Sequence, residues 1–192
     1  DLWNTIKFIT AENLKGDVLE FGVWKGGALE LACHALNHFK GNNKVWGFDT
    51  FEGHPEPSLS ETDVWGNNMN ARYHKEVDEN GSWVKSHYDS VVENLLQIRP
   101  DVTLRKGEVS SQTNEPEIER ISILRLDMDW YEPTLAALEN FYDRIETGGS
   151  IIIDDYGHHS GARKATDEFF AHHKRHLHFR HVNYSCIAAT VF

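Results

Sequence analysis

Short apolar runs alternate with longer amphipathic segments along this chain, and that alternation limits the folds it can adopt. β-Branched and large apolar residues cluster between turn signals in the short runs, which is typical of strands buried on both faces. Five such strands are predicted, at residues 17–21, 44–48, 102–105, 121–126 and 150–153. Strands that alternate with helices form a parallel sheet, so the chain is predicted to belong to the α/β class.

The segments between these strands carry apolar residues at helical spacing. Helices are predicted at residues 28–39, 83–98, 132–145 and 161–173. Two last strands, at 179–183 and 186–191, are expected to form an antiparallel hairpin. The predicted architecture is a Rossmann-like doubly wound sheet, mostly parallel, with this C-terminal antiparallel hairpin at its end.

The segment 52–81 lacks clear periodicity and contains Pro55, Pro57 and three glycines. Long irregular segments inside a compact domain are more often functional loops than linkers. We therefore predict that this segment forms a loop of the active site, with one short helix near residues 69–75.

The composition indicates one domain over residues 1–192 and argues against several partners. The formal net charge at pH 7 is -11 and no run of basic residues occurs, so nucleic acid is not expected. No apolar run is long enough to cross a membrane. Cys33 and Cys186 are far apart and are expected to be reduced thiols, which indicates a cytoplasmic protein. The chain begins at Asp1 without a signal peptide, so a complete domain and one lacking an N-terminal segment both fit.

The first predicted strand leads into LEFGVWKGG, at the position where a doubly wound sheet binds a nucleotide-containing ligand. Gly22, Gly26 and Gly27 do not follow the Gly-x-Gly-x-x-Gly spacing of dinucleotide sites. A carboxylate at Glu20 would repel a pyrophosphate but attract the ammonium and sulfonium groups of S-adenosylmethionine. The helix N-terminus at Gly27 can hold the methionine carboxylate. Glu20, Phe21 and the three glycines are therefore predicted cofactor contacts, although a plain strand end and turn would carry the same residues.

The second predicted strand ends in VWGFDTFEG, which places an acid at a neighbouring strand end. Asp49 is predicted to accept hydrogen bonds from both ribose hydroxyls of a nucleoside. Thr50, Phe51 and Gly53 would shape the adenine pocket, and Gly107 with Glu108, after the third strand, would reach the base from the other side. Asp127, after the fourth strand, completes the predicted cofactor contacts.

Four aspartates follow the fourth and fifth predicted strands, in LRLDMDWYEPT and IIIDDYGHH. Asp127, Asp129, Asp154 and Asp155 should converge at one edge of the sheet, where their charges repel unless a proton or a divalent cation intervenes. Mg²⁺ prefers oxygen ligands, so Asp127, Asp154 and Asp155 are predicted to bind it. Helix N-capping is the alternative, because Asp is a good N-cap and helices follow both motifs.

The predicted metal would bind an acceptor hydroxyl, lower its pKa and direct its oxygen at the methyl group. Asp129 lies two residues beyond its strand, so it could act as a base or hold the acceptor. His158 and His159 follow the pair Asp154 and Asp155 in the sequence, and either histidine could take the proton of the acceptor hydroxyl. Asp127, Asp129 and His158 are the predicted catalytic residues.

Five further histidines crowd the C-terminal part of the chain: His172, His173, His176, His178 and His181. Their spacing matches no zinc pattern, and neighbouring residues on a helix or strand point in different directions. A solvated polar face is therefore expected rather than a metal site.

With these motifs in view, the chain resembles the macrocin O-methyltransferase family, Mg²⁺-dependent enzymes with the class I methyltransferase fold that methylate sugar hydroxyls of antibiotics. The likeness covers nearly the whole chain, from LEFGVWKGG through VWGFDTFEG and LRLDMDWYEPT to IIIDDYG and GARKATDEF. The resemblance implies cofactor contacts at Glu20, Gly22, Asp49 and Thr50. It implies metal ligands at Asp127, Asp154 and Asp155.

Two features depart from the family pattern. Met128 stands where the family usually has Gly, and the helical N-terminal segment expected to cover the acceptor is short or absent. Both bear on the identity of the acceptor.

The sequence thus predicts an S-adenosylmethionine-dependent O-methyltransferase that acts with Mg²⁺ or another divalent cation on a small-molecule hydroxyl, as on a sugar or a glycosylated natural product. Two other readings stay open: an NAD-dependent oxidoreductase, and a non-catalytic binding module that retains the fold. The oligomeric state is also open, a homo-oligomer included.

Overall fold

One mixed sheet organises the computed structural model, which describes residues 1–111, 115–175 and 177–192. Within these ranges the strands are β1 Asp17–Phe21, β2 Val45–Asp49, β3 Thr103–Lys106, β4 Ile121–Leu126, β5 Ile145–Ile153, β6 Arg180–His181 and β7 Ile187–Thr190. Their spatial order is β3-β2-β1-β4-β5-β7-β6. The first five strands run parallel, and β7 pairs antiparallel with both β5 and β6. The predicted doubly wound sheet with a C-terminal antiparallel hairpin is confirmed.

Six α-helices connect or flank the strands in the described ranges: α1 Leu2–Ala11, α2 Gly27–Phe39, α3 Met69–Asn80, α4 Tyr88–Ile98, α5 Tyr131–Phe141 and α6 Ser160–His172. Short 3₁₀ turns occupy Val109–Ser111 and Tyr142–Arg144. None of the helices described is long and apolar enough to traverse a bilayer.

The core lies on both faces of the sheet because successive strand residues point to opposite sides. Val18 and Ile123 pack in one apolar cluster with α1, α2 and α4. Leu19 and Leu124, their immediate neighbours in the sequence, pack in a second apolar cluster. Helix α5 contributes buried residues to this cluster, and α6 packs against it with partly buried ones. A strand covered on both faces needs an apolar residue at nearly every position, which explains the continuous apolar runs in the sequence.

Most predicted elements agree with the structure within one or two residues, and the exceptions have local causes. The predicted helix at 132–145 ends at Phe141, because the chain tightens into a 3₁₀ turn and Ile145 already pairs with Ile121 in the sheet. The predicted helix at 83–98 begins only at Tyr88, because the residues before it run as a loop in which Val84 has a φ of 55°.

The segment 52–81 contains more helix than predicted. Helix α3 extends to Asn80, because the Asn68 side chain caps its start by accepting a hydrogen bond from the Ala71 N–H, and Gly81, with a φ of 76°, ends it. The strand predicted at 179–183 is shorter, since β6 comprises only Arg180–His181. His176 lies outside the described residues.

An N-terminal helix was not predicted. Helix α1 buries Ile6 and Ile9 and packs against α2 and β5. Helix α1 has ten residues, and the predicted departure from the family, a short or absent helical segment over the acceptor, stays a prediction.

The carboxyl ends of the parallel strands meet at one edge, where backbone hydrogen bonds link the residues just beyond them. The Gly22 N–H donates to the Phe48 carbonyl at 2.9 Å, and the Asp127 N–H donates to the Phe21 carbonyl at 2.8 Å. Gly22 has a φ of 86°, and a Cβ there would lie 1.8 Å from the Asp127 carbonyl oxygen. Only glycine fits this position without displacing the neighbouring chain.

Replacing Gly22 with alanine is expected to lower the free energy of unfolding by about 2 kcal/mol or more, because the added methyl group overlaps a backbone oxygen. Gly27→Ala is the matched control: nothing lies within 4 Å of its Cβ position, and its unfolding free energy should change by less than about 1 kcal/mol. Urea unfolding followed by circular dichroism measures both variants. Equal stability of the two would contradict the close approach at Gly22.

Candidate functional site

A cavity of about 390 Å³ opens where β1, β2, β3 and β4 end. The predicted site residues that line it are Phe21, Gly22, Asp49, Thr50, Gly53, Gly107, Glu108, Asp127 and Asp129. Those that do not line it are Glu20, Gly26, Gly27, Phe51, Asp154, Asp155 and His158. The cavity therefore brings together residues from four separate strand ends, at the position that a doubly wound sheet uses for its ligands.

Asp49 holds the loop between β1 and α2 in shape. Its Oδ2 accepts hydrogen bonds from the backbone N–H groups of Val23 at 2.8 Å and Trp24 at 2.7 Å, and its Oδ1 accepts one from Phe51 at 2.6 Å. A carboxylate has about four acceptor positions, so roughly one remains. The sequence predicted that Asp49 binds two ribose hydroxyls, whereas the structure leaves room for one.

Glu20 lies beneath the cavity rather than in its wall. It is 2% exposed and forms an ion pair with Arg125, which stands directly opposite it on β4. Burial raises the pKa of Glu20 to about 8, and the Arg125 guanidinium opposes that shift. Arg125 already faces this carboxylate, and the predicted attraction between Glu20 and a cationic ligand stays a prediction.

Arg125 joins three strand ends. Its guanidinium contacts Glu20 of β1, Asp127 Oδ2 at 2.8 Å just after β4, and Asp154 Oδ2 at 2.7 Å just after β5. These carboxylates keep the pKa of Arg125 above its usual value, although burial works against the charge. Arg125 was not predicted as a site residue, because it stands in the apolar run ISILRL, which indicates only a buried strand.

The predicted metal ligands do converge. Asp127, Asp154 and Asp155 each offer a carboxylate oxygen, and these atoms lie within 4.8 Å of one another. Asp129, Asp155 and His159 form a second group that meets the same limit. Burial and then the negative charge of Asp129 raise the pKa of Asp155 to about 11. Without a cation, this crowding keeps Asp155 protonated.

The N-cap alternative for these aspartates is wrong. Helix α5 has Trp130 at its N-cap position and α6 has His159, and neither side chain caps its helix. The N-terminus of α5 is instead served by Glu61, whose Oε1 accepts a hydrogen bond from the Tyr131 N–H at 3.1 Å. Glu61 lies in the segment predicted as an active-site loop.

Asp129 adopts a left-handed backbone conformation, with a φ of 62°. Its Oδ2 lies 2.9 Å from His54 Nε2 and 3.6 Å from His159 Nε2. Burial opposes the charge of Asp129, but the hydrogen bond from His54 and one shared with Asp155 lower its pKa overall. Burial lowers the pKa of His159, which favours its neutral form, and the charge of Asp129 opposes that shift. Met128 does not adopt a positive φ, so the departure from the family's Gly causes no backbone strain.

His158 does not line the cavity, and its predicted catalytic role stays a prediction. The N–H groups of His158 and His159 both donate to the Asp155 carbonyl, at 3.0 and 2.9 Å, which forms a tight turn. The His158 ring then packs edge-on against Trp65, at 5.1 Å between centroids, and lies 3.4 Å from the Tyr184 hydroxyl. The other C-terminal histidines within the described ranges belong to no group with metal-binding geometry.

Several cavity residues were not predicted. They are Trp24, Phe48, His54, Pro55, Val84, Val109, Ser110, Met128, Glu132, Pro133 and Ala136. Trp24 and Val84 are partly exposed apolar residues of the cavity wall, at 47% and 36%. His54 and Pro55 come from the segment that was predicted as an active-site loop, and that prediction is the one sequence signal that could have found them.

Comparison with known protein families identifies the family of this chain. The family model described as Macrocin-O-methyltransferase (TylF) matches residues 1–189. The chain belongs to the macrocin O-methyltransferase family.

Named relatives of this family are recognisably similar in sequence. Demethyldecarbamoylnovobiocin O-methyltransferase from Streptomyces niveus is 30% identical over 170 residues, which cover 86% of this chain and 62% of that protein. Mycinamicin III 3''-O-methyltransferase from Micromonospora griseorubida is 29% identical over 157 residues, which cover 81% and 61%. The chain thus spans less than two thirds of the length of either relative.

Solved structures share the fold. The O-methyltransferase NovP matches 99% of this chain and 77% of its own, with a TM-score of 0.81 and 24% identity. The calicheamicin methyltransferase CalS11 matches 99% and 78%, with a TM-score of 0.72 and 18% identity. At these identities the likeness shows the fold alone, which is the class I methyltransferase fold.

Replacing Arg125 with methionine is expected to lower the free energy of unfolding by about 3–5 kcal/mol, because it leaves the buried Glu20 and the half-buried Asp127 and Asp154 without their cation. Adding Glu20→Gln should recover part of that loss, since it removes one of the carboxyl groups that lost their partner. Arg120→Met is the control, because Arg120 is exposed and 3.7 Å from Glu146, and should cost less than about 1 kcal/mol. If chemical unfolding shows equal losses for Arg125→Met and Arg120→Met, the guanidinium does not hold the strand ends together.

Proposed function

We propose that this chain is an S-adenosylmethionine-dependent O-methyltransferase that methylates a hydroxyl of a small molecule, on a sugar or a glycosylated natural product, with the help of a divalent cation. The observation that carries the proposal is the adjacency of two features at one sheet edge. An apolar cavity at the strand ends adjoins a cluster of carboxylates with metal-ligand spacing, and Asp127 belongs to both.

The cavity suits a nucleoside-containing methyl donor. Phe21 and Phe48 supply apolar wall, and the remaining acceptor position of Asp49 can bind a ribose hydroxyl. Gly107 and Glu108 lie at the end of β3, on the side where the base would be held. When bound, the donor supplies an electrophilic methyl group on a sulfonium, and no protein nucleophile is needed.

A divalent cation fits the residues that are present. The carboxylates of Asp127, Asp154 and Asp155 form an all-oxygen donor set, which a hard cation such as Mg²⁺ prefers. The raised pKa of Asp155 also fits a cation, because the carboxylate now retains a proton that a metal ion would displace. Asp127, Asp154 and Asp155 would hold the ion, which would supply Lewis acidity that lowers the pKa of an acceptor hydroxyl.

The acceptor class is proposed from the relatives. Their names describe methyl transfer to demethyldecarbamoylnovobiocin and to the 3'' hydroxyl of mycinamicin III. A third, from Streptomyces olivaceus, is named for the 4'-O-methylation of a rhamnosyl tetracenomycin. A glycosylated natural product with a free sugar hydroxyl is therefore the acceptor proposed for this chain.

Calorimetry is expected to show that S-adenosylhomocysteine binds the full chain, whereas NAD does not. Asp49→Ala should weaken S-adenosylhomocysteine binding at least tenfold, because the variant loses both a ribose contact and the support of the Val23–Trp24 loop. Asp78→Ala, at an exposed position on α3, is the matched control and should bind normally. Saturable NAD binding with no binding of S-adenosylhomocysteine would favour an oxidoreductase instead.

Removal of divalent cations with a chelator is expected to abolish most methyl transfer to demethyldecarbamoylnovobiocin, and added Mg²⁺ should restore it. Direct binding of Mn²⁺, followed by electron paramagnetic resonance, should weaken by more than about tenfold in Asp155→Asn, because the variant lacks a ligand carboxylate. Asp78→Asn serves as the control. Turnover that is unchanged after chelation would refute the metal role and leave the methyltransferase proposal standing.

A further inference from the structure

His54 forms a histidine–carboxylate pair inside the cavity. It follows β2 by five residues, and its backbone N–H donates to the Trp83 carbonyl at 2.9 Å, which fixes the loop. Its Nε2 lies 2.9 Å from Asp129 Oδ2. Both residues line the cavity, so the pair faces the space that a ligand would occupy.

The surroundings restrict how the His54 ring can turn. Its ring packs against Trp83 and Trp130, at 5.1 and 5.0 Å between centroids. Trp83 and Trp130 also contact each other, at 5.7 Å. The imidazole is therefore held in one orientation by apolar rings, while Asp129 binds one of its two nitrogens.

The hydrogen bond to Asp129 selects the tautomer. A neutral imidazole has one N–H donor and one acceptor nitrogen, and a carboxylate acceptor places the proton on the nitrogen that faces it. Nε2 therefore donates to Asp129, and Nδ1 is the acceptor. Within residues 1–111, 115–175 and 177–192, Nδ1 has no hydrogen-bond partner and is not sealed from solvent.

The other candidate bases at this edge are less suited. His158 lies outside the cavity, against Trp65 and Tyr184. His159 is buried and its ring does not line the cavity. Asp129 already accepts the hydrogen bond from His54. Among the described residues of the cavity wall, His54 is the one whose side chain offers a ring nitrogen as acceptor.

We propose that His54 is the general base of the methyl transfer, and that Asp129 is a positioning residue that orients its ring. The inference rests on the proposed function. The acceptor O–H bond breaks and its proton moves to His54 Nδ1, while an O–CH₃ bond forms. The C–S bond of the methyl donor breaks and its electron pair stays on sulfur, so the positive charge passes from sulfonium to imidazolium. The proton later leaves to solvent.

Two substitutions of His54 separate proton transfer from a structural role. The glutamine side chain of His54→Gln would keep an N–H donor for Asp129 but could not take a proton. The variant should therefore lower kcat by about 10²- to 10⁴-fold, with KM and S-adenosylhomocysteine affinity within threefold of the unaltered chain. In His54→Ala, added imidazole should restore part of kcat. His74→Gln is the matched control, since His74 pairs with Glu56 at 3.0 Å outside the cavity.

A readout without turnover tests the same assignment. Long-range ¹H–¹⁵N correlation spectra of the full chain with S-adenosylhomocysteine bound should show His54 protonated on Nε2 and unprotonated on Nδ1 at neutral pH. In Asp129→Asn this preference for one tautomer should weaken, because the carboxylate acceptor is lost.

The outcomes are distinct. If the unaltered chain neither binds S-adenosylhomocysteine nor methylates demethyldecarbamoylnovobiocin, the proposed function fails and the base assignment fails with it. If it does both and His54→Gln retains more than a fifth of kcat, or imidazole does not restore His54→Ala, the base assignment alone is overturned. Protonation of Nδ1 in the spectra overturns it whether or not the probe acceptor is methylated.

Discussion

The Arg125 guanidinium is the contact on which the edge of the sheet depends. Carboxylates that end three neighbouring strands would repel one another without a cation, and Arg125 contacts Glu20, Asp127 and Asp154 at once. Because Arg125 stands opposite Glu20 in the parallel register of β1 and β4, the pairing follows directly from the strand alignment. The sheet thereby places one fixed positive charge under the site and leaves Asp155 and Asp129 outside its reach.

That division of charge separates two tasks. Asp127 and Asp154 share Arg125 and also stand within reach of Asp155, so this part of the edge suits an ion. Asp129 turns away through its left-handed backbone and meets His54, which arrives from the loop after β2. Two aspartates only two positions apart thus serve different neighbours, because a single positive φ redirects the chain between them.

The strands, most helices and the convergence of the acids could be predicted, because apolar periodicity fixes the elements and parallel strands end at one edge. The role of Glu20 could not, since its partner Arg125 is 105 residues away and looks like part of an apolar strand. The three hydrogen bonds that the Asp49 carboxylate accepts could not be predicted either, because their donors are backbone N–H groups of loops, which no residue type in the sequence indicates. His54 stayed unnoticed for a related reason: a lone histidine in an irregular segment means little until its carboxylate is known.

Met128 is a flexible side chain in the wall of the cavity. It lines the cavity between two acids, and its unbranched thioether side chain has three rotatable bonds and a polarizable sulfur. Around it, Pro133 has a fixed φ, and the glycines at the strand ends have no side chain that could move. Because the Met128 side chain can move, the cavity can accommodate ligand rings of different size. Discrimination among ligands at this point then depends on the alignment of their polar groups rather than on steric exclusion.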